Sequence, residues 1–358
     1  MQGVKNLFDW KILSIILALL VAGGLNQASA AMGGLFFKRQ LLWFALGLSI
    51  FTVLAFTDYR KLLTPRVLII LYTILLLSLV VLFLKHTRWL RMAGFGIQPS
   101  EFAKLVLIGI FSLLLAQRKD TQYLDLKTFL LMSAFAFPVI ILVAVTDLDQ
   151  GGMLFLLYAS YIVMAGIPRR YAVALFLVTV FLVFIVGPDL WNKLKPYQRE
   201  RVEAFLNPEA YRLSRGYQIL QALIAVGSGG LKGLGFHKGL SSRLNFLPEK
   251  HTDLAFAVWA EEWGFLGAAF VLALFGALIL IILKTAYQTR DELGRYLCFG
   301  VATMLFWEVT INAGGILHLL PVASVPLPFL SYGGSSVLVN LAGLGLVFAV
   351  SRRRYSFR

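Results

Sequence analysis

The polar residues of this chain gather in four short strings between long apolar runs, and each string carries groups able to do chemistry. The first is GFGIQPSEFAK, Gly94 to Lys104. Pro99 suits a first helical turn, and Glu101 near it complements the positive end of a helix dipole. Glu101 and Lys104 are three residues apart, so they share a helix face and can pair. The pair either neutralises a helix start or shapes a polar cavity at a membrane margin, where charge is costly. The second string, Gly216 to Gly239, interleaves glycines 227, 229, 230, 233, 235 and 239 with Lys232, His237 and Lys238. No strand precedes it and no helix follows it inside a soluble unit, so it is not a dinucleotide fingerprint. Glycines let successive N–H groups converge on an anion, and two lysines add charge. A merely tight loop accounts for the glycines equally well. The apolar segment before them, 219–226, is too short to span a membrane and can dip into its surface.

The third string is LPEKHTDLAFAVWAEEWGFLG, Leu247 to Gly267, with Asp253 at the entry to an apolar run. On a continuous helix Asp253, Ala257, Ala260, Gly264 and Gly267 share one face. That stripe serves either close helix packing or a groove for an acyl or prenyl chain whose head group sits at Asp253. Asp253 alone is equally a helix cap. The fourth string, PLPFLSYGGSS, Pro326 to Ser336, offers N–H and hydroxyl donors at a helix start, for an anion or as an ordinary cap. Glu308 and Asn312, four apart in an apolar run, are a functional pair or interhelical glue. Histidines 86, 237, 251 and 318 are scattered, and no HExxH, cysteine pair, P-loop or GxSxG elbow is present, so no protein-built zinc site or nucleophile elbow can be drawn.

The elements that must position these groups cross a membrane. Of 358 residues 59% are hydrophobic and 14% charged, against ~45–50% and ~25% in soluble domains. Mean hydropathy is +0.79. A span needs ~20 mostly apolar residues, and ten runs qualify: 10–25, 38–57, 67–85, 101–117, 127–146, 152–166, 171–187, 254–284, 296–314 and 331–350. The expectation is an all-α polytopic membrane protein, one integral membrane domain over 1–358 with about ten transmembrane helices. A single large loop, 188–253, joins the seventh and eighth. The first run is read as a retained helix rather than a signal peptide, and the single Cys298 excludes an internal disulfide. Lys and Arg number seventeen in one set of alternate loops and tails and six in the short loops of the other. Both termini are therefore expected in the cytoplasm and the 188–253 loop outside. With six acids the cytoplasmic set carries +11 of the net +15, so the charge reflects topology and gives no reason to invoke nucleic acid.

Taken together, RWLRMAGFGIQPSEFAK, RVEAFLNPEAYRLSRGYQ, AVGSGGLKGLG, LPEKHTDLAFAVWAEEWG and NAGGILHLLPVASVPLPFLSYGGSS resemble, in order and spacing, the SEDS family (shape, elongation, division and sporulation) of bacterial cell-wall glycosyltransferases. The resemblance implies an enzyme of the bacterial inner membrane that polymerises lipid II into β-1,4-linked glycan. It implies a class B penicillin-binding protein (a transpeptidase) as partner within the elongation machinery, and a divalent cation, Mg or Mn, at the leaving pyrophosphate. The family's essential aspartate falls on Asp253 and its QPSE glutamate and lysine on Glu101 and Lys104. The short N-terminus favours the elongation, RodA-type branch over the division type. Where the family has Pro-Asp-Leu-Gly this chain reads TDLDQGG, leaving Asp147 or Asp149 as counterpart; Ala323-Ser324 replaces a usual Thr-Gly, and His318 and Glu308 are idiosyncratic.

The chemistry so implied is attack of a sugar hydroxyl on a sugar carbon carrying a lipid pyrophosphate. Asp253 is the expected base, its pKa raised by desolvation and by nearby Glu261. Glu101, Lys104, Arg201, Lys232 and Lys238 are the expected substrate contacts, the cations meeting the pyrophosphate or head group. A lipid II flippase, an ion-coupled transporter or a non-catalytic scaffold are the competing classes.

Overall fold

A computed structural model describes residues 10–31, 34–92, 95–118, 123–168, 173, 196–244 and 246–353. Nine of the ten predicted spans fall on these residues, and all nine are helices; the tenth, 171–187, lies outside the described residues except for residue 173. In chain order the helices are α1 (Trp10–Ala30), α2 (Leu35–Phe56), the short α3 (Tyr59–Leu62), α4 (Pro65–Leu84), α5 (Pro99–Ala116), α6 (Leu126–Thr146) and α7 (Leu148–Met164). The large loop contributes α8 (Pro196–Leu206), α9 (Arg215–Ser228) and the one-turn α10 (Leu240–Arg243). Then come α11 (Ala255–Gln288), α12 (Glu292–Ile316) and α13 (Gly334–Arg353). Eight are long and apolar enough to cross a membrane, and α7 is a shorter apolar helix.

Local chemistry sets the helix starts. Thr64 caps α4 ahead of Pro65, accepting from the Val67 N–H at 3.4 Å, and Asp125 and Asp291 cap α6 and α12 through Thr128 and Gly294. Each cap supplies an acceptor to an N–H that the helix leaves unbonded. Hydropathy then sorts the helices by position. α4, with mean hydropathy 3.1, leaves most of its surface outward, whereas α13, at 1.7, is almost entirely enclosed by α2, α5, α11 and α12. Apolar tails are themselves a hydrophobic solvent, so helices gain by packing through small residues as α13 does. At Gly345 an added Cβ would stand 2.8 Å from the Phe51 carbonyl oxygen of α2.

The structure differs from the sequence-based expectation in three places. α1 runs on to Ala30 because Asn26, Gln27 and Ser29 are buried inside the protein, not set in a loop. A two-stranded antiparallel hairpin, β1 (Leu90–Met92) and β2 (Phe95–Ile97), stands before α5, with Arg91 opposite Gly96. And α11 is not continuous: Gly264 has φ 65° and ψ −166°.

The break in α11 removes the lipid groove suggested by the small-residue stripe. The turn after α9 is pressed onto the break, where Leu234 and Gly235 N–H groups donate to the Glu261 and Glu262 carbonyls at 3.0 and 2.9 Å. Phe265 and Leu266 in turn donate to Gly230 and Leu231 at 2.8 and 3.2 Å. Four backbone groups that lose helical partners are thereby satisfied, the condition for irregular backbone near lipid. A Cβ on Gly229 would lie 2.1 Å from the Ala260 carbonyl oxygen, and one on Gly233 2.1 Å from that of Glu262. The glycines serve close approach, and the stripe is a packing face.

Candidate active site

The four polar strings converge at one end of the helical bundle. Their meeting point is the turn PEKHTD, residues 248–253, immediately before α11. Glu249 sits in the left-handed region at φ 47°, and its carbonyl accepts from the Thr252 and Leu254 N–H groups at 3.0 and 3.3 Å. This turn places Asp253 outside the helix: the residue at the α11 cap position is Leu254, and no side chain caps that end. Asp253 is therefore not a helix cap.

Three buried amides hold the turn. Gln27 of α1 donates to the His251 carbonyl at 2.9 Å and to that of Leu330 at 2.7 Å. Asn26 donates to the Ala255 carbonyl at 2.9 Å, and Asn312 of α12 to the Asp253 carbonyl at 3.1 Å and to Val325 at 2.8 Å. The Tyr332 N–H adds a backbone bond to the His251 carbonyl at 2.7 Å, docking the PLPFLSYGGSS string directly on the turn. Asn312 thus acts on the Asp253 turn and does not pair with Glu308.

Two cavities open here. The larger, ≈ 530 Å³, has Glu101, Asp147, Glu249 and Asp253 among its acids and Arg39 and Arg88 among its cations. Aromatic rings of Trp43, Trp89 and Tyr332 line it as well, with the Gly333–Ser336 start of α13. The smaller, ≈ 280 Å³, lies toward α8 and α9 and is lined by Gln218, Ile219 and Ala204. Arg88, Glu249, Asp253 and Ser324 line both, so Asp253 stands where the two cavities join.

Burial is the main cause that pushes the Asp253 carboxyl up to about 6, with the negative charges of Glu249 and Asp149 adding to it and a Ser324 hydrogen bond opposing. The raised value was expected, but its charged neighbours are Glu249 and Asp149 rather than Glu261. Asp147 is likewise pushed up by burial, against the pull of Arg88. Asp147 caps α7 through the Gln150 N–H, meets Arg88 at 3.4 Å and lies 3.5 Å from the Gln98 amide. Asp149 accepts from the Ser324 N–H at 2.8 Å. The two aspartates of TDLDQGG therefore brace the rim beside Asp253.

Glu101 and Lys104 form the expected pair at 2.8 Å, with a further member that spacing did not disclose: Lys104 also donates to Glu308 of α12. Gln150 donates to the other oxygen of Glu101 at 2.8 Å. Glu101 borders the larger cavity, whereas Lys104 is wholly enclosed beneath it. Lys232 and Lys238 are exposed and line neither cavity, and Arg201 lies on α8 with its side chain outside the described set. The cations that do border Asp253's cavity are Arg39 and Arg88, which in the sequence read only as loop charges. His251 stacks on Phe36 at 5.0 Å, and burial pushes it toward the neutral form. Among the described residues no group of three or more His, Cys, Asp or Glu could hold a metal ion.

The arrangement presents a raised-pKa carboxylate, two guanidinium groups and aromatic faces around one polar space, a set that can deprotonate a hydroxyl beside an anionic leaving group. Comparisons with known proteins place the chain in a family. Residues 6–356 match the family model FtsW/RodA/SpoVE, described as cell cycle protein. The peptidoglycan glycosyltransferase MrdB of Escherichia coli K12 is 36% identical over 356 residues, covering 97% of this chain and 94% of that one. The probable peptidoglycan glycosyltransferase FtsW of Geobacter metallireducens is 34% identical over 375 residues, covering 97% and 95%. Among solved structures, a chain of a peptidoglycan synthase complex that coordinates polymerization and crosslinking superposes with TM-score 0.82 at 30% identity, covering 97% of this chain and 98% of that one. The rod shape determining protein RodA of Thermus thermophilus gives TM-score 0.70 at 28% identity with the same coverage. This chain belongs to the FtsW/RodA/SpoVE family of cell cycle proteins.

Proposed function

We propose that Asp253 is the general base with which this peptidoglycan glycosyltransferase polymerises lipid II, the two cavities that meet at it holding the two sugar partners. The observation that carries the assignment is the position of Asp253 at their junction, half-buried and titrating at about 6. A base is most effective when its pKa lies near working pH, and such catalysis contributes ~10²–10⁴-fold. Asp253 takes the proton of a GlcNAc 4-hydroxyl as its oxygen bonds to C1 of the MurNAc donor. The bond from C1 to the pyrophosphate oxygen breaks with its electron pair, and opposite-face attack gives the β linkage. Arg88 and Arg39, both on the wall of the larger cavity, meet the charge developing on the leaving pyrophosphate, since a guanidinium can hold phosphate through two parallel N–H bonds. Glu101 borders the cavity, and its link through Lys104 to Glu308 beneath ties α5 to α12 under it.

Among the described residues no cluster of acids and histidines would cage the divalent cation that the resemblance implies. The cavity end is assigned to the extracytoplasmic side, since the opposite end carries Arg60, Lys61, Arg118, Arg290, Arg295, Arg352 and Arg353 at helix ends. Both termini then face the cytoplasm of the bacterial inner membrane. A class B penicillin-binding protein is the proposed partner, supported by the structural relative that belongs to a synthase complex, and cell elongation is the proposed setting. Incubating the purified protein and partner with labelled lipid II tests the proposal. Glycan strands are expected, whereas lipid translocation without polymer would mark a flippase.

A further inference from the structure

We infer that the loop segment from Leu231 to Phe246 is an interfacial anchor that seats on an anionic phospholipid bilayer. Three observations converge on this segment, none of which the catalytic site uses. First, it is strongly one-signed: between Glu209 and Glu249 the chain has no acidic residue, while Lys232, Lys238 and Arg243 fall inside the segment and are exposed. Second, the same stretch turns large apolar side chains outward. Leu231 is 61% exposed, Leu240 59%, Leu244 58% and Phe246 50%. Alternating cations with exposed leucine and phenylalanine is the composition of a surface-lying membrane element, in which apolar groups enter the head-group layer and cations stay at its level. Lysine is depleted in protein–protein interfaces, which argues against a protein as the matching surface.

Third, the segment is fastened at the depth where such an element belongs. It begins on the break in α11, through the bonds between Leu231 and Leu266 and between Leu234 and Glu261. The part of α11 beyond the break, Phe265 to Gln288, already supplies the ~20 residues that a hydrocarbon core of ~30 Å requires. Phe265 and Leu266, both outward-facing, are then at the lipid boundary, and Leu231 lies beside them. Lys232, Lys238 and Arg243 would meet lipid phosphates there, each favouring an anionic over a neutral surface by about fivefold.

The test places the full-length protein in nanodiscs of phosphatidylglycerol mixed with phosphatidylcholine, or of phosphatidylcholine alone. Cys298 is the only cysteine, so Leu240→Cys in a Cys298→Ala background takes a single polarity-sensitive fluorophore. Quenching by shallow nitroxide lipids and protection from iodide are expected. Ready iodide quenching without lipid quenching would overturn the inference, as would shielding that appears only when the partner transpeptidase is added. A second measurement needs no substitution. In the native protein, labelling of Lys232 and Lys238 by an amine reagent is expected to be several-fold slower in the phosphatidylglycerol discs than in the phosphatidylcholine discs. Equal rates in both lipids would overturn the inference. The triple variant K232Q/K238Q/R243Q is expected to lower the enrichment of spin-labelled phosphatidylglycerol around the protein, the remainder belonging to the cationic loops at the opposite face; undiminished enrichment would overturn the inference.

Discussion

The side-chain amide of Asn312, buried in α12, donates to the main-chain carbonyl of Asp253 at 3.1 Å. The same amide donates to the Val325 carbonyl at 2.8 Å, so one side chain ties the Asp253 turn to the loop that carries Ser324. Asn312→Leu keeps the volume and removes both donors. Leaving two buried carbonyls without partners costs about 1–3 kcal/mol each. A displacement of the turn by ~1 Å is enough to lower kcat about 10²-fold. The expected result is a kcat loss with KM little changed, measured by steady-state polymerisation, alongside a modest fall in Tm.

The Asp253 carboxyl should be visible in the pH profile. Activity is expected to rise with pH through a limb at about 6 and then level, because the base must be ionised. Glu249→Gln removes a negative neighbour and is expected to move that limb to lower pH. Stability should respond with the opposite sign. The fold holds this proton more tightly than the unfolded chain, whose carboxyl titrates at 3.8. Its stabilising contribution is complete below that value and is lost as pH rises through about 6. Asp253→Asn is therefore expected to raise Tm at pH 7.5, and to lose this advantage in acid.

Lys104 answers a different question. It is enclosed between Glu101 and Glu308, one on its own helix and one on α12. Lys104→Met leaves two carboxylates buried without their cation, a loss of ~3–5 kcal/mol. Substituting glutamine at both Glu101 and Glu308 in the same protein is expected to recover most of the lost Tm. If Lys104→Met kept its stability and lost only activity, Lys104 would be a substrate contact instead.

Arg88 borders both cavities and is half-exposed, with Asp147 as its partner at 3.4 Å. Arg88→Ala is expected to weaken lipid II use by roughly tenfold or more, the cost of one charged hydrogen bond at ~1.5–3 kcal/mol. Arg88→Lys should restore it only in part, since a point charge cannot make the bidentate contact. Titration of kcat/KM against lipid II measures both.

The spans were legible because lipid demands long apolar runs, and the Glu101–Lys104 pair was legible because i, i+3 spacing is local. What escaped the sequence depends on contacts between distant segments. Glu308 joins Lys104 across 204 positions and Gln27 reaches His251 across 224, distances along the chain that no periodicity encodes. The break at Gly264 was hidden because a helical stripe presumes a continuous helix, and a glycine is compatible with packing or with φ above zero. Arg39 and Arg88 sit in short connections, where charge is first read as topology. Lys232 and Lys238 carry the signal expected of anion contacts, yet both are exposed and line neither cavity. Asp253 was singled out by its place at a helix entry and by family resemblance, while its paired cavities emerged only with the fold.

The most direct measurement is polymerisation of labelled lipid II by purified wild-type protein and Asp253→Asn, each with the partner transpeptidase and each verified as folded by Tm. Wild type is expected to build long glycan strands, and Asp253→Asn to build none while melting at an equal or higher temperature. Strands of normal length and rate from folded Asp253→Asn would contradict the assignment of Asp253 as the base.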